Sequence, residues 1–219
     1  MSNKSFYEVA PDNNGGTIVI KRSASTNEKY RKSLLRNIGT AENIVNDKLD
    51  TLKGIDDNLD EQNLIAGWFG DIDNATIEEL TGRLTNILNV LGEWKNNLDE
   101  LVTIDDKHYG YGYAKGSTKG TLEVVLGRSW IGDQKRNVSG AWMTLIHEAA
   151  HYPGGKYQGG THFYREEEIS KSLTVARGAR FGKNIVLPNG SSFDAKTYAR
   201  QDPYLIEYWL QGLNPYRRQ

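Results

Sequence analysis

Residues 144–152 read Thr-Leu-Ile-His-Glu-Ala-Ala-His-Tyr, so His147 and His151 stand four positions apart with Glu148 directly after the first. On an α-helix that spacing places both imidazoles on one face, a turn apart, where their ring nitrogens can converge on one cation. Neutral nitrogen ligands leave zinc strongly Lewis acidic, which brings the pKa of a coordinated water from about 15.7 toward about 7. Glu148 is placed to take the water's proton as general base and to return it to a leaving amine. The chemistry implied by the spacing is zinc-dependent hydrolysis of a peptide bond, with His147 and His151 as ligands and Zn2+ as cofactor.

A five-residue pattern also arises by chance, and the flanks decide against it. Leu145, Ile146, Ala149 and Ala150 are uncharged, so the helix can be buried with no polar groups but the motif's own. Burying two histidines and a glutamate with no metal or partner costs on the order of several kcal/mol. Catalytic zinc normally takes three protein ligands and one water, so a third ligand comes from elsewhere. His162, beyond a glycine-rich stretch, is the first candidate. Glu166, Glu167 and Glu168 on the next expected helix are the rival set, and they also read as an acidic helix start that suits the helix dipole. His108 is distant in sequence and is left out. Tyr164, Tyr157, Tyr198 and Arg165 could each donate to a developing oxyanion, and Tyr164 is the one expected to do so. Asp71-Ile72-Asp73-Asn74 lacks the glycine and distal glutamate of a calcium loop.

The order of a β-prone segment, Leu126-Gly-Arg-Ser-Trp130, the helix bearing 144–152, and then Gly159-Gly160-Thr161 resembles the deuterolysin-type (aspzincin) metalloendopeptidases and their bacterial toxin-like relatives. The resemblance covers roughly residues 105–212 and implies a zincin-like α+β fold. In that family a Gly-Thr-x-Asp-x-x-Tyr stretch supplies an aspartate ligand and a tyrosine for the oxyanion. Here Thr161 matches the threonine, but Phe163 stands at the aspartate's place and Glu166 at the tyrosine's. His162 or a nearby glutamate would then hold the metal, and Tyr164 would supply the phenol. The family's acidic, aromatic helix would correspond to Phe193–Tyr198, with Asp194 either orienting a ligand histidine or capping the helix. The resemblance further implies a secreted or delivered effector, met by a cognate immunity or delivery protein.

The rest of the chain must position these groups. It has 219 residues, 37% apolar and 25% charged, with no cysteine, enough to bury a core without disulfides. Any transition-metal site must be built from His, Asp and Glu. No apolar run approaches the roughly 20 residues of a membrane span. The polar start lacks the order of a signal peptide, so the expected product is a cytoplasmic species that leaves, if it does, by a leaderless route. Residues 1–106 carry 11 basic against 19 acidic residues, and 107–219 carry 16 against 9. Without a basic run interleaved with aromatics, nucleic acid is not an expected partner. A protein or peptide substrate is. Two other readings remain open: a zinc amidase or peptidase acting on cell-wall peptides, and a non-catalytic binding protein with a closed structural His–metal site.

Periodicity predicts a predominantly helical α+β chain in two parts, an N-terminal helical region over 1–105 and a catalytic region over 106–219. A short strand is expected at 17–20. Two helical pieces over 26–52 are separated at Gly39-Thr40. A loop with a buried plug spans 54–74. Ile77, Leu80, Leu84, Ile87, Leu91, Trp94, Leu98 and Leu101 alternate steps of three and four along one helix, opened by a Thr76/Glu79 capping box. A Gly/Tyr-rich hairpin over 108–126 follows, whose strand at 121–126 could pair with an extended peptide. Gly132-Asp133 reads as a turn. Helices are then expected over 139–152, 164–179 and 193–212, the first halted by Pro153-Gly154-Gly155.

Overall fold

The computed structural model describes residues 28–116, 122–136, 138–152, 169–186 and 192–216, and the strand expected at 17–20 lies outside them. Helix α1 runs unbroken over Glu28–Lys53. The expected break at Gly39-Thr40 does not occur: a mid-helix glycine costs only about 1 kcal/mol, and Ile38 and Ala41 on either side are fully buried. The stretch expected as a loop over 54–74 is mostly helical, and only 70–73 lack helical structure at its end. A short 3-10 turn (Ile55–Asp57) leads into α2 (Leu59–Phe69). The Asn58 side chain caps α2 by accepting from Glu61 N at 3.1 Å, and Gly70, at φ 96°, ends it in the left-handed region that glycine alone enters freely.

Helix α3 (Asn74–Asn96) buries the predicted seam from Leu80 to Trp94 against α1 and α6. Its cap is Asp73, which accepts from Thr76 N at 2.8 Å, and not the Thr76/Glu79 box. Thr76 instead donates its hydroxyl to Asp71, and Glu79 pairs with Arg200 at 3.0 Å. Asn97 leaves helical geometry, so Leu98 and Leu101 sit on a separate turn, α4 (Leu98–Leu101).

The sheet has three strands, β1 (Val102–Ile104), β2 (Gly112–Gly116) and β3 (Leu122–Leu126), in the order β1-β3-β2. β1 runs parallel to β3, pairing Val102 with Val124; β2 runs antiparallel, pairing Gly112 with Leu126. The expected hairpin is therefore present. Its second strand is central, however, with a neighbour on each side among the described residues, so it offers no edge for an added peptide. β2 is the outer strand on the side that contacts α6. Gly132-Asp133 is not a turn but the middle of α5 (Arg128–Arg136), whose Trp130 and Ile131 are buried.

Helix α6 (Gly140–Ala150) carries the motif. Beyond it come α7 (Ile169–Arg180), the hairpin β4 (Asn184–Val186) and β5 (Ser192–Asp194), then α8 (Ala195–Ala199) and α9 (Pro203–Leu210). The single helix expected over 193–212 is divided. Asp202 caps α9 by accepting from Tyr204 N at 2.9 Å and Leu205 N at 3.3 Å. Pro203, with no N–H to donate, can open α9 but cannot continue α8.

The chain is α+β and mostly helical. Buried residues from α1 through α9 form one apolar cluster. Four of its largest members are fully buried tryptophans, and each indole N–H finds an acceptor. Trp68 donates to Leu213 O at 2.9 Å, Trp94 to Leu122 O at 2.7 Å and Trp130 to Ala141 O at 2.8 Å. Trp209 donates at 2.5 Å to Oε1 of Glu61, a buried carboxylate that also holds Lys48 Nζ at 2.9 and 3.0 Å.

Candidate metal centre

α6 lies at the centre of the molecule, contacted by α1, α3, α5, α9 and β2. That placement follows from composition: Ala141 and all residues from Met143 to Ala150 are buried, so the helix has no solvent face to spare. At its start, Gly140 leaves room for Asp133, whose Oδ2 would lie 1.9 Å from any β-carbon added there. Only glycine lets this carboxylate approach the helix N-terminus, where the dipole favours negative charge.

His147, Glu148 and His151 are 6%, 2% and 7% exposed. α6 ends sooner than the sequence suggests, at Ala150, and His151 is its C-cap; His151 nevertheless keeps right-handed helical angles (φ −67°, ψ −3°), so its side chain continues along the motif face. The two imidazole rings stand 5.3 Å apart, at 75° to each other. Glu148 Oε2 lies 4.0 Å from His151 Nε2, so the carboxylate and the second imidazole face a common space.

α9 completes the arrangement from the opposite side. Glu207 Oε2 lies 3.2 Å from His147 Nδ1. Where the carboxylate accepts, Nδ1 is the donor of this pair, and in the neutral ring Nε2 is then the nitrogen able to act as acceptor or ligand. The other oxygen, Oε1, accepts from Gln211 Nε2 at 3.0 Å, which holds the carboxylate in place. Tyr204 packs its ring 4.5 Å from that of His147 and fixes the imidazole plane. Burial, then the neighbouring Glu207 charge, pushes the Tyr208 phenol up to about 12, so it stays protonated. Tyr111, in the segment leading into β2, is also pushed up, chiefly by burial and then by Asp133, to which its hydroxyl donates; the Glu207 charge reaches it as well.

Two buried imidazoles a helical turn apart beside a carboxylate suit zinc better than calcium or magnesium, which favour all-oxygen cages. Among the described residues no group of three His, Asp or Glu gathers to hold a metal. His147 and His151 would supply two of zinc's three usual protein ligands, and His162 and Glu166–Glu168 lie outside the described residues, as do Tyr164, Tyr157 and Arg165. His108 is not with the pair; its ring meets Tyr113 edge-on at 5.3 Å. Asp194 caps α8, accepting from Thr197 N at 3.0 Å and Thr197 Oγ1 at 2.8 Å, and these bonds hold its carboxyl below the ordinary range. The carboxylate that meets a motif histidine is that of Glu207 instead. Glu207 is not among the residues that motif spacing picks out, yet it carries its own signal: it is the one charged residue in the apolar run Pro-Tyr-Leu-Ile-Glu-Tyr-Trp-Leu, and a lone acid in a buried helix needs a partner.

No protein-family model and no curated protein matches this sequence. Among solved structures, a zinc peptidase from Grifola frondosa aligns with 84% of this chain and 96% of its own, at 15% identity and a TM-score of 0.49.

Proposed function

We propose that this chain is a zinc-dependent endopeptidase. The observation that carries the reading is the contact of His147 Nδ1 with Glu207, which assigns ligand duty to Nε2, on a buried helix end shared with Glu148 and His151. His147 and His151 would hold the ion with one further ligand, His162 or one of Glu166, Glu167 and Glu168. When bound, zinc supplies Lewis acidity that makes a water acidic near neutral pH and polarises a carbonyl. Glu148, almost wholly buried, accepts the proton from the attacking water and passes it to the departing amine. Glu207 keeps the His147 proton on Nδ1 throughout. Tyr164 is assigned as the donor to the developing oxyanion, and an extended peptide would add to the outer edge of β2, the sheet strand that contacts α6. Delivery as an effector, with an immunity partner, rests on the sequence resemblance alone.

Elemental analysis combined with peptide-library digestion, with and without a chelator, tests the reading. The wild-type protein should carry one zinc and cleave in a chelator-sensitive way, while Glu148→Gln should keep the metal and lose cleavage. Full cleavage by Glu148→Gln, or purified protein that takes up no divalent ion, would refute it. A zinc-loaded wild type that cleaves nothing in the library would favour the closed structural site.

A further inference from the structure

Arg83 projects from α3, in the N-terminal half, into the region where the motif helix ends, and it is 4% exposed. Its Nη2 donates to two carbonyls, Ala150 O at 2.7 Å and Gln201 O at 3.2 Å. Ala150 is the last residue of α6 and precedes His151; Gln201 precedes Asp202, the cap of α9. One nitrogen thus joins the end of the helix that bears His147 and His151 to the start of the helix that bears Glu207 and Tyr204.

We infer that Arg83 is a positioning residue, which fixes α6 against α9 and so sets the seat of His147 on Glu207. Its burial is costly. Desolvation pulls the guanidinium down to about 10, against the opposing pull of Glu79 and Asp202. A methionine would fill much of the same volume with no charge to bury, so the guanidinium needs a reason to be there. The carbonyls supply it. The last carbonyls of a helix have no partner within it, and a planar donor placed at such an end can satisfy one while reaching a second across the helix boundary. Losing the bridge would free α6 and α9 to shift relative to each other. A carboxylate 3.2 Å from its histidine has little slack, since bonds lengthened past about 3.5 Å no longer hold.

The metal part of this inference rests on the reading of His147 as a ligand; the positioning part does not, and the test separates them. In metal-free protein labelled with 15N-histidine, the His147 Nδ1 proton should be visible and slow to exchange, and Glu207→Ala should abolish it. Arg83→Met should remain folded by circular dichroism yet exchange that proton at least ~10-fold faster and bind zinc at least ~10-fold more weakly. Arg83→Lys, which keeps a charge and can reach one carbonyl, should recover part of both. Leu34→Ala, a cavity in α1 with comparable loss of stability, should change neither. If Arg83→Met loses stability but keeps the proton signal and zinc affinity within about twofold of wild type, the inference is overturned. Should Arg83→Met fail to fold, Arg83→Lys is compared with wild type by the same limits. A wild type that binds no zinc but shows an Arg83-dependent His147 proton would refute the peptidase reading and leave Arg83's role standing.

Discussion

Replacing Glu207 by glutamine removes one charge and keeps an oxygen where Oε2 stands, so it isolates what the carboxylate does for His147. Two full charges 3.2 Å apart attract by about 5 kcal/mol at an effective dielectric of 20. The neutral imidazole presents only an N–H dipole, and the Glu207 side chain is 19% exposed; both lower the figure. The remaining effect should match that of carboxylates behind metal-ligating histidines, about 10- to 100-fold in metal affinity, or about 1.4–2.8 kcal/mol. Glu207→Ala removes the acceptor altogether and should lie at or beyond the upper end. Gln211→Ala, which frees only Oε1, should cost less than either. Competition with a chromophoric chelator at pH 7.5 measures all three. A dissociation constant for Glu207→Ala equal to that of the wild type would show that the contact does not orient the ligand, and the argument for a primed Nε2 would fail with it.

The third ligand is assigned by zinc stoichiometry: His162→Ala should lose the ion while the combined Glu166→Gln, Glu167→Gln, Glu168→Gln variant keeps it, and the opposite pattern would give the position to a glutamate. Glu61→Gln should destabilise the fold by about 3–5 kcal/mol, because Lys48 loses its counter-charge and one of the two oxygens it holds while the Trp209 indole keeps an acceptor; pairing Glu61→Gln with Lys48→Met should recover most of it in urea titrations, and full additivity of the single changes would contradict the ion-pair account. Asp194→Ala should cost about 1 kcal/mol at neutral pH as a lost helix cap. Because Asp194's carboxyl is held below its ordinary value in the fold, that stability is present above the unfolded value near 3.9 and is lost as pH falls through the folded one. The melting temperatures of Asp194→Ala and wild type should therefore converge in acid, and a gap that widens below pH 4 would reverse the assignment.

Local patterns proved readable where a short stretch of chain sets its own environment. The three-and-four spacing from Leu80 to Trp94 needs only a helix and an apolar neighbour, and both are present. The motif helix is legible for the same reason, since four apolar flanks around His147, Glu148 and His151 can be buried in one way. Reading failed where a distant contact outweighs local preference. Gly39 looks like a break until Ile38 and Ala41 are seen buried on either side. Residues 54–69 look like an acidic loop because the partners of Glu61, which are Lys48 and Trp209, come from α1 and α9. β1 is three residues long, too short for alternation to declare it, and its pairing with β3 makes β3 central and leaves β1 and β2 as the outer strands.

By itself the sequence determined the α+β class, the helix that bears the motif and the four-residue interval that sets two imidazoles on one face, since these depend on turn geometry within a single element. Tertiary structure alone decided that Glu207, sixty residues on, is the carboxylate behind His147, that Asp194 is only a cap, and that Arg83 of α3 joins the ends of α6 and α9. Such pairings depend on how whole helices cross, and that is fixed by the packing of the shared core rather than by any run of neighbouring residues.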